Sequence, residues 1–231
     1  MTPKPTSTRL RPLPRLIFAS RWIQVPLYLG LIVAQCVYVA HFWVELVHLL
    51  QAVFGDRGDP HRCQCQRYKL GPAGWTPYPQ EVRAQALREE ADCGHPEAES
   101  TSGLVAFLDG VPVGWCNVEP RVAFPRLTRI PWAGREERKD DPGVWSVTCF
   151  VVRAGYRRRG VTYALAEASV DFARERGARA LEGYPMVTRP GQEVSWGELF
   201  VGKSSVFAAA GFRQVSHPTK RRVVMRIDFE D

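Results

Sequence analysis

Three arginines and a glycine in succession, Arg157, Arg158, Arg159 and Gly160, have the residue types to bind an anion. They follow an apolar segment, residues 145–152, that is typical of a buried strand, and they precede a segment with helical periodicity. A helix N-terminus offers free backbone N–H groups and the positive end of the helix dipole, and both attract phosphate. Gly160 leaves space for a ligand at the backbone, and the arginines add bidentate donors. The turn therefore predicts a pyrophosphate site, and a solvated basic loop is the alternative.

The elements around this turn form a strand, a helix and a second strand. The helix ends near Gly177, which suits a left-handed C′ position, and residues 178–184 have the composition of the next strand. One apolar stripe is predicted to face the core: Val161, Leu165, Ala168, Phe172 and Ala173. Together the three segments predict a βαβ unit.

Local signals also predict elements on either side of this unit. Gln80–Glu90 has the pattern of a helix, and Asp109-Gly110 is a strong hairpin signal between strands at residues 103–108 and 111–118. The long loop at residues 121–142 is interpreted as part of the wall of an acceptor-substrate site, because long loops in compact domains are often functional.

The sequence resembles the GNAT superfamily of N-acetyltransferases at several points that occur in the same order. The family's coenzyme A signature, Gln/Arg-x-x-Gly-x-Gly/Ala, is matched at Arg157 and Gly160, while Thr162 departs from it, and Gly211-Phe212 resembles the family's late Gly-Phe. The resemblance covers about residues 62–231. It implies an α/β fold with a GNAT-like mixed β-sheet and flanking helices, whose first strand is taken from the family alone.

The resemblance also implies a function, namely transfer of an acetyl group from acetyl-CoA, as co-substrate, to an amine of a small molecule or peptide by direct attack. The backbone N–H groups of Phe150 and Val152 are then expected to hold the pantetheine arm and to polarise the thioester oxygen. The full set of expected cofactor-binding residues is Phe150, Val151, Val152, Arg157, Arg158, Arg159, Gly160, Val161 and Thr162.

Two residues are expected to move protons. Glu119 is the candidate base, with Glu182 as a second candidate, and Tyr184 is the candidate acid for the leaving thiolate. Many members of the family have a tyrosine four residues before the Gly-Phe, and here that position is Phe207. Ser205 or water is therefore an alternative acid, and a catalytically weak CoA-binding module is the alternative function.

The first fifty-five residues are predicted to form a separate part of the chain, ahead of a GNAT-like domain at residues 56–231. They start with a basic segment and continue with a hydrophobic, possible transmembrane helix flanked by aromatic residues, so residues 22–50 are a candidate for membrane association. Residues 13–50 resemble the first span of the YqhA-like family of bacterial membrane proteins. Because acetyl-CoA is cytoplasmic, the catalytic domain is placed there; the N-terminal segment then spans the membrane, lies on it, or is a fusion or start-site artefact. A membrane-tethered interaction protein is a further alternative.

Charge and cysteines exclude other classes of function. The net charge is +7, yet no basic helix with interleaved aromatic residues indicates nucleic-acid binding, and none is predicted. Cys63 and Cys65 are separated by one residue rather than the two of a zinc knuckle, and Cys93 with His95 is a weak complement to them. No metal site is predicted, and the six cysteines are expected to be reduced thiols.

Overall fold

The computed structural model describes residues 25–37, 48–71, 74–91, 101–127, 130–132, 134–188, 194–195 and 197–229. The chain divides into two units, Met1–Glu45 and Leu46–Asp231. This division lies ahead of the boundary predicted at residue 55, because the helical residues 48–54 bury Leu50, Val53 and Phe54 within the second unit. The two-domain assignment itself stays a prediction.

The predicted N-terminal hydrophobic helix has only partial counterparts in the structure. In the first unit, residues 25–37 are helical, and residues 38–47 of the predicted segment lie outside the described residues, as do Cys93 and His95. Among the helices that the structure describes, none combines the length and the apolar character needed to cross a membrane. The predicted transmembrane helix is therefore not supported.

The second unit is built on one six-stranded mixed sheet, which confirms the mixed α/β sheet of the predicted fold class. The strands are β1 (Gly103–Leu108), β2 (Val111–Pro120), β3 (Val144–Val152), β4 (Ala180–Gly183), β5 (Arg213–Thr219) and β6 (Arg222–Asp228). Their spatial order is β1-β2-β3-β4-β6-β5, and all neighbours are antiparallel except β3 and β4. In the described residues no strand precedes β1, so the additional first strand expected from the family is absent there.

Four labelled helices accompany the sheet: α1 (Gly58–Cys63), α2 (Gln80–Glu90), α3 (Val161–Glu175) and α4 (Ser204–Ala209). Helix α2 has the predicted bounds. The predicted hairpin is also present, and both Asp109 and Gly110 have positive φ, as a two-residue type I′ turn requires.

Helix α3 packs its apolar face onto the sheet, and its stripe differs in part from the predicted one. Leu165, Ala166, Ser169, Val170, Phe172 and Ala173 are buried, whereas Ala168 is exposed. The buried positions follow the spacing i, i+1, i+4, i+5, i+7 and i+8, which is the wider stripe of a helix on a sheet. Burial of one side chain such as Leu165 contributes about 1.5–3 kcal/mol.

Strands β3 and β4 separate soon after they meet. Their pairing extends only from Val144 with Ala180 to Val147 with Gly183. Phe207 of α4 fills the space beside this point, since a Cβ atom added to Gly183 would lie 2.0 Å from the Phe207 ring. The residues of β3 after Val147 therefore have no strand on this side, and we call residues 148–152 the open edge of β3.

Candidate active site

A cavity of about 870 Å³ lies along the open edge of β3. It is also lined by the turn before α3 and by segments within residues 52–67 and 197–206. Asp56 and Asp59 are its acidic residues, whereas six of its lining residues carry positive charge: Arg57, Arg67, Arg153, Arg157, Arg158 and Lys203. This excess of positive charge suits a ligand with several negative charges.

The backbone of the open edge offers hydrogen-bond donors to this cavity. The amide of Arg153 donates to the carbonyl of Val113 in the segment of β2, at 3.0 Å. Because the N–H groups of successive strand residues point to alternate sides, the amides of Val152 and Phe150 point away from β2 and toward the open edge. The amides of Phe150 and Val152 thus face the cavity side of β3, and their role in binding stays a prediction.

The turn before α3 combines two residues in left-handed conformation. Arg158 has φ +63° and Gly160 has φ +80°. No heavy atom lies within 4 Å of a Cβ atom added to Gly160, so the space above this residue is open. The Gly160 carbonyl accepts the amides of Tyr163 and Ala164 at 2.9 and 3.1 Å, which leaves the first amides of α3 for a ligand.

Eight of the nine expected cofactor-binding residues line the cavity, namely Phe150, Val151, Val152, Arg157, Arg158, Gly160, Val161 and Thr162. Arg159 does not, and its guanidinium lies over the ring of Tyr156, 5.4 Å from the centroid. Arg157 has a structural contact of its own, since its Nε donates to the carbonyl of Val152 at 3.3 Å. Helix α3 begins at Val161 rather than within the arginine run.

Glu119, the expected base, lies in a buried polar cluster beside the sheet rather than in the cavity lining. Lys69 Nζ contacts Glu119 Oε1 at 2.5 Å and Glu90 Oε2 at 2.8 Å. Burial raises the pKa of Glu119, and the charge of Lys69 opposes this rise. Asn117 connects the cluster to the open edge, because its amide donates to Glu119 at 3.1 Å and its carbonyl oxygen accepts from Thr148 at 2.6 Å.

Tyr184, the expected acid, is fully buried and is not among the cavity residues. Its hydroxyl lies 2.8 Å from the Ser146 hydroxyl and donates to Glu182 Oε2 at 3.1 Å. Burial raises the pKa of Tyr184 well above its usual range. The structure thus brings Tyr184 and Glu119 into two different polar clusters.

Glu182, the second candidate base, is held by three arginines. Its carboxylate contacts Arg121 at 3.1 Å, Arg135 at 2.6 Å and Arg226 at 2.9 Å. Glu137 is a second carboxylate on the same guanidinium groups. We call these five residues the Glu182 cluster. The predicted acceptor-wall loop at residues 121–142 contributes Arg121, Arg135 and Glu137 to this cluster, and none of its described residues lines the cavity.

Phe207 occupies the position of the family's tyrosine as a core residue. Its ring packs edge-on against Phe150 and Phe212, with centroids 5.8 and 5.1 Å apart. Its side chain is fully buried. No hydroxyl group therefore reaches the cavity from this position of α4.

Sequence reasoning missed two groups at the site, Arg67 with its aromatic neighbours and the Asn117–Thr148 link. Arg67 lines the cavity and lies against Phe200 and Trp75. Asn117 is fully buried inside a strand, and an isolated Asn in an apolar strand was the one available signal. These residues come from distant parts of the chain, so spacing does not reveal their contact.

Comparison with known proteins identifies the family. The family model for acetyltransferases of the GNAT family matches residues 67–187, slightly more than half of the chain. The chain therefore belongs to the acetyltransferase (GNAT) family. A second model, for the uncharacterized protein family UPF0114, matches residues 17–67, in partial agreement with the expected resemblance of the N-terminal segment. No curated protein matches the chain.

Solved structures of acetyltransferases are similar at low sequence identity. A GCN5-related N-acetyltransferase from Kribbella flavida has 20% identity and a TM-score of 0.40, over 83% of this chain and 92% of that chain. The GNAT domain of PAT from S. lividans has 19% identity and a TM-score of 0.43, over 81% and 85%. Ribosomal-protein-alanine N-acetyltransferase from Brucella melitensis has 19% identity and a TM-score of 0.39, over 66% and 80%. At these values the likenesses carry no argument about the substrate.

Proposed function

We propose that this protein transfers an acetyl group from acetyl-CoA to an amine of a small molecule or peptide. The observation that carries the proposal is that one cavity joins the open edge of β3 to the anion-attracting turn at Gly160. The residues fit acetyl-CoA for two reasons. The cavity has excess positive charge, which suits the phosphates of acetyl-CoA. The amides of Phe150 and Val152 face the space that the pantetheine arm would occupy.

Each part of the cavity has a role in this proposal. The first amides of α3, at Val161 and Thr162, bind the pyrophosphate where Gly160 leaves the backbone open. Arg158 adds positive charge, and Arg157 also holds the turn through the Val152 carbonyl. The amides of Val152 and Phe150 orient the pantetheine arm, and one of them polarises the carbonyl oxygen during attack.

Bound acetyl-CoA supplies the thioester that the acceptor amine attacks. The residues of the chain then have two proton transfers to support. Glu119 is proposed to take the proton of the acceptor ammonium group, since Asn117 and Thr148 connect its carboxylate to the open edge. Tyr184 stays a prediction as the acid, and the role requires its hydroxyl to release Glu182. Water is the alternative donor to the thiolate.

A catalytically weak CoA-binding module is the second candidate function. The specific observation in its favour is that Phe207 places no hydroxyl at the cavity and that Tyr184 is buried away from it. Membrane association through residues 22–50 has no such observation in the described residues, and it forms no part of the proposal.

Amine-dependent release of CoA tests the function directly. The full chain is incubated with acetyl-CoA and a panel of amines, and free thiol is measured over time. We expect release above the amine-free rate with at least one acceptor class. Stabilisation by acetyl-CoA without any amine-dependent release would instead favour the binding module.

The pH dependence of this rate tests the role of Glu119. A base acts when deprotonated, so the rate should rise with pH through the raised pKa of Glu119, and the acid limb should lie above the usual range of a glutamate. A Lys69→Met change removes the cation that lowers this pKa and leaves the charge of Glu90, which raises it. The acid limb should therefore move to higher pH.

Two further variants control this pH experiment. Lys139→Met removes an exposed lysine and should leave the profile unchanged. Glu119→Gln should remove the acid limb. An unchanged limb in both Glu119→Gln and Lys69→Met would exclude Glu119 as the base.

A further inference from the structure

Arg67 lies near two aromatic rings at the wall of the cavity. Its Cζ atom lies 4.4 Å from the centroid of Phe200 and 5.3 Å from that of Trp75. Cation–π contacts of this kind attract the charge of a guanidinium group and leave N–H groups at its edge for hydrogen bonds. Within the described residues, the buried Nε of Arg67 has no hydrogen-bond partner. The side chain is thus fixed, charged and still able to donate.

The positive charge at this position lacks a carboxylate among the described residues. Arg221 nearby pairs with Glu198 at 2.9 Å, but neither Arg67 nor Arg222 forms an ion pair in that part of the chain. Arg222 lies over the same Phe200 ring, 5.8 Å from its centroid, and donates to the carbonyl of Tyr184 at 3.0 Å. Burial lowers the pKa of Arg222. The charges of Tyr68 and Glu198 oppose this effect, and the charge of Arg67 adds to it. An anion bound beside Arg67 would relieve this repulsion.

The position of Arg67 separates it from the turn that is proposed to bind the phosphates. Arg67 lies near the Cys149 end of the open edge, since both residues act on the pKa of Cys63. Phe200 packs against the apolar cluster that contains Cys149 and Val151. The arginine turn follows Val152, at the other end of that edge, and three strand residues span about 10 Å. The thioester end of the co-substrate is therefore on the side of Arg67, where the acceptor must also bind.

We propose that the acceptor is a small amine that also carries a carboxylate group, and that Arg67 binds this carboxylate. The inference rests on the proposed acetyltransferase function and specifies its substrate class. A planar group with two oxygens matches the fork of a guanidinium edge. The neighbouring rings of Trp75 and Phe200 make the surroundings of Arg67 less polar, which strengthens the contact. Arg222 is a positioning residue that adds positive potential behind Phe200.

The experiment compares matched acceptors with the full chain. Each set contains an α-amino acid, its amide and the corresponding decarboxylated amine, with apolar, acidic and basic side chains represented. CoA release is measured at saturating acetyl-CoA. We expect the amino acid of at least one set to be acetylated with a KM at least about tenfold below those of its neutral counterparts, as a charged hydrogen bond provides.

Variants assign this preference to Arg67. Arg67→Met should raise the KM for the amino acid by about 10- to 100-fold more than it raises the KM for the neutral amine. Arg222→Met should raise the KM for the same acceptor by a smaller factor. Arg174→Met is the matched control, because Arg174 also lies over an aromatic ring, Phe229, but does not line the cavity.

The outcomes distinguish a failure of this inference from a failure of the proposed acetyltransferase function. Thermal melting with acetyl-CoA is measured in parallel for every variant, so that a misfolded Arg67→Met protein is recognised. In that case the KM of the Arg222→Met variant for the amino acid tests the inference. If acetyl-CoA binds but neutral amines are used as well as amino acids, or no amino acid is acetylated, the inference is wrong. If acetyl-CoA does not stabilise the wild type, the acetyltransferase proposal itself fails.

Discussion

A Glu182→Gln variant should lose about 3–5 kcal/mol of its free energy of unfolding, because the change removes the fully buried one of the two carboxylates that three guanidinium groups share. Glu182 and Arg121 are both fully buried, and Arg135 and Arg226 contact the same carboxylate. Glutamine has nearly the same shape, so the loss would be electrostatic rather than a packing defect. Equilibrium unfolding in urea, followed by circular dichroism, measures the effect.

An exposed ion pair provides the control for this loss. Asp171 and Arg174 pair at 3.0 Å on the outer side of α3, with both side chains more than half exposed. Asp171→Asn should change the free energy of unfolding by less than about 1 kcal/mol. Equal effects of the two substitutions would show that Glu137 alone is sufficient to balance the arginines of the Glu182 cluster.

A Gly160→Glu variant should lose its stabilisation by acetyl-CoA. Acetyl-CoA at about 100 times its Kd should stabilise the wild type by about 2.7 kcal/mol, which corresponds to roughly 5–10 °C in Tm for a chain of this size. A glutamate at Gly160 places a side chain and a negative charge in the open space of the turn. Thermal melting with and without acetyl-CoA should therefore show no shift.

Two controls separate repulsion from backbone strain at Gly160. Gly177, at the other end of α3, also has a positive φ, +74°, and open space around it. Gly177→Glu should lower Tm yet keep the acetyl-CoA shift. Gly160→Ala introduces the strain without the charge and should keep part of the shift. A full shift in folded Gly160→Glu would place the phosphates elsewhere.

Local signals explain what the sequence predicted well. Asp109 and Gly110 both tolerate positive φ, and this preference specifies the turn locally. The turn at Gly160 was predicted from its position between a strand and a helix. The stripe of α3 was partly wrong because Ala168 satisfies the helical spacing as well as Ala166 does. Spacing restricts the face of a helix to a range of angles, and packing on the sheet then selects one of them.

Contacts between distant residues explain what the sequence did not reveal. Glu182 meets Arg121 across 61 positions of the chain, and Arg226 across 44. No periodicity links such residues, so Glu182 was interpreted as a candidate base although the fold surrounds it with arginines. The strand expected before β1 came from the family pattern alone, and the described residues of that region form short helices instead.

The divergence of β3 and β4 has a consequence for how the protein tolerates mutation. Beyond Val147 the sheet contains a gap with the same main-chain groups as an outer edge. A ligand with amide groups of its own, such as a pantetheine arm, can complete these hydrogen bonds as an added strand would. Recognition of this kind does not depend on side-chain identity. The ligand therefore constrains the backbone of residues 148–152, while packing constrains their side chains, as the contact with Phe207 does for Phe150.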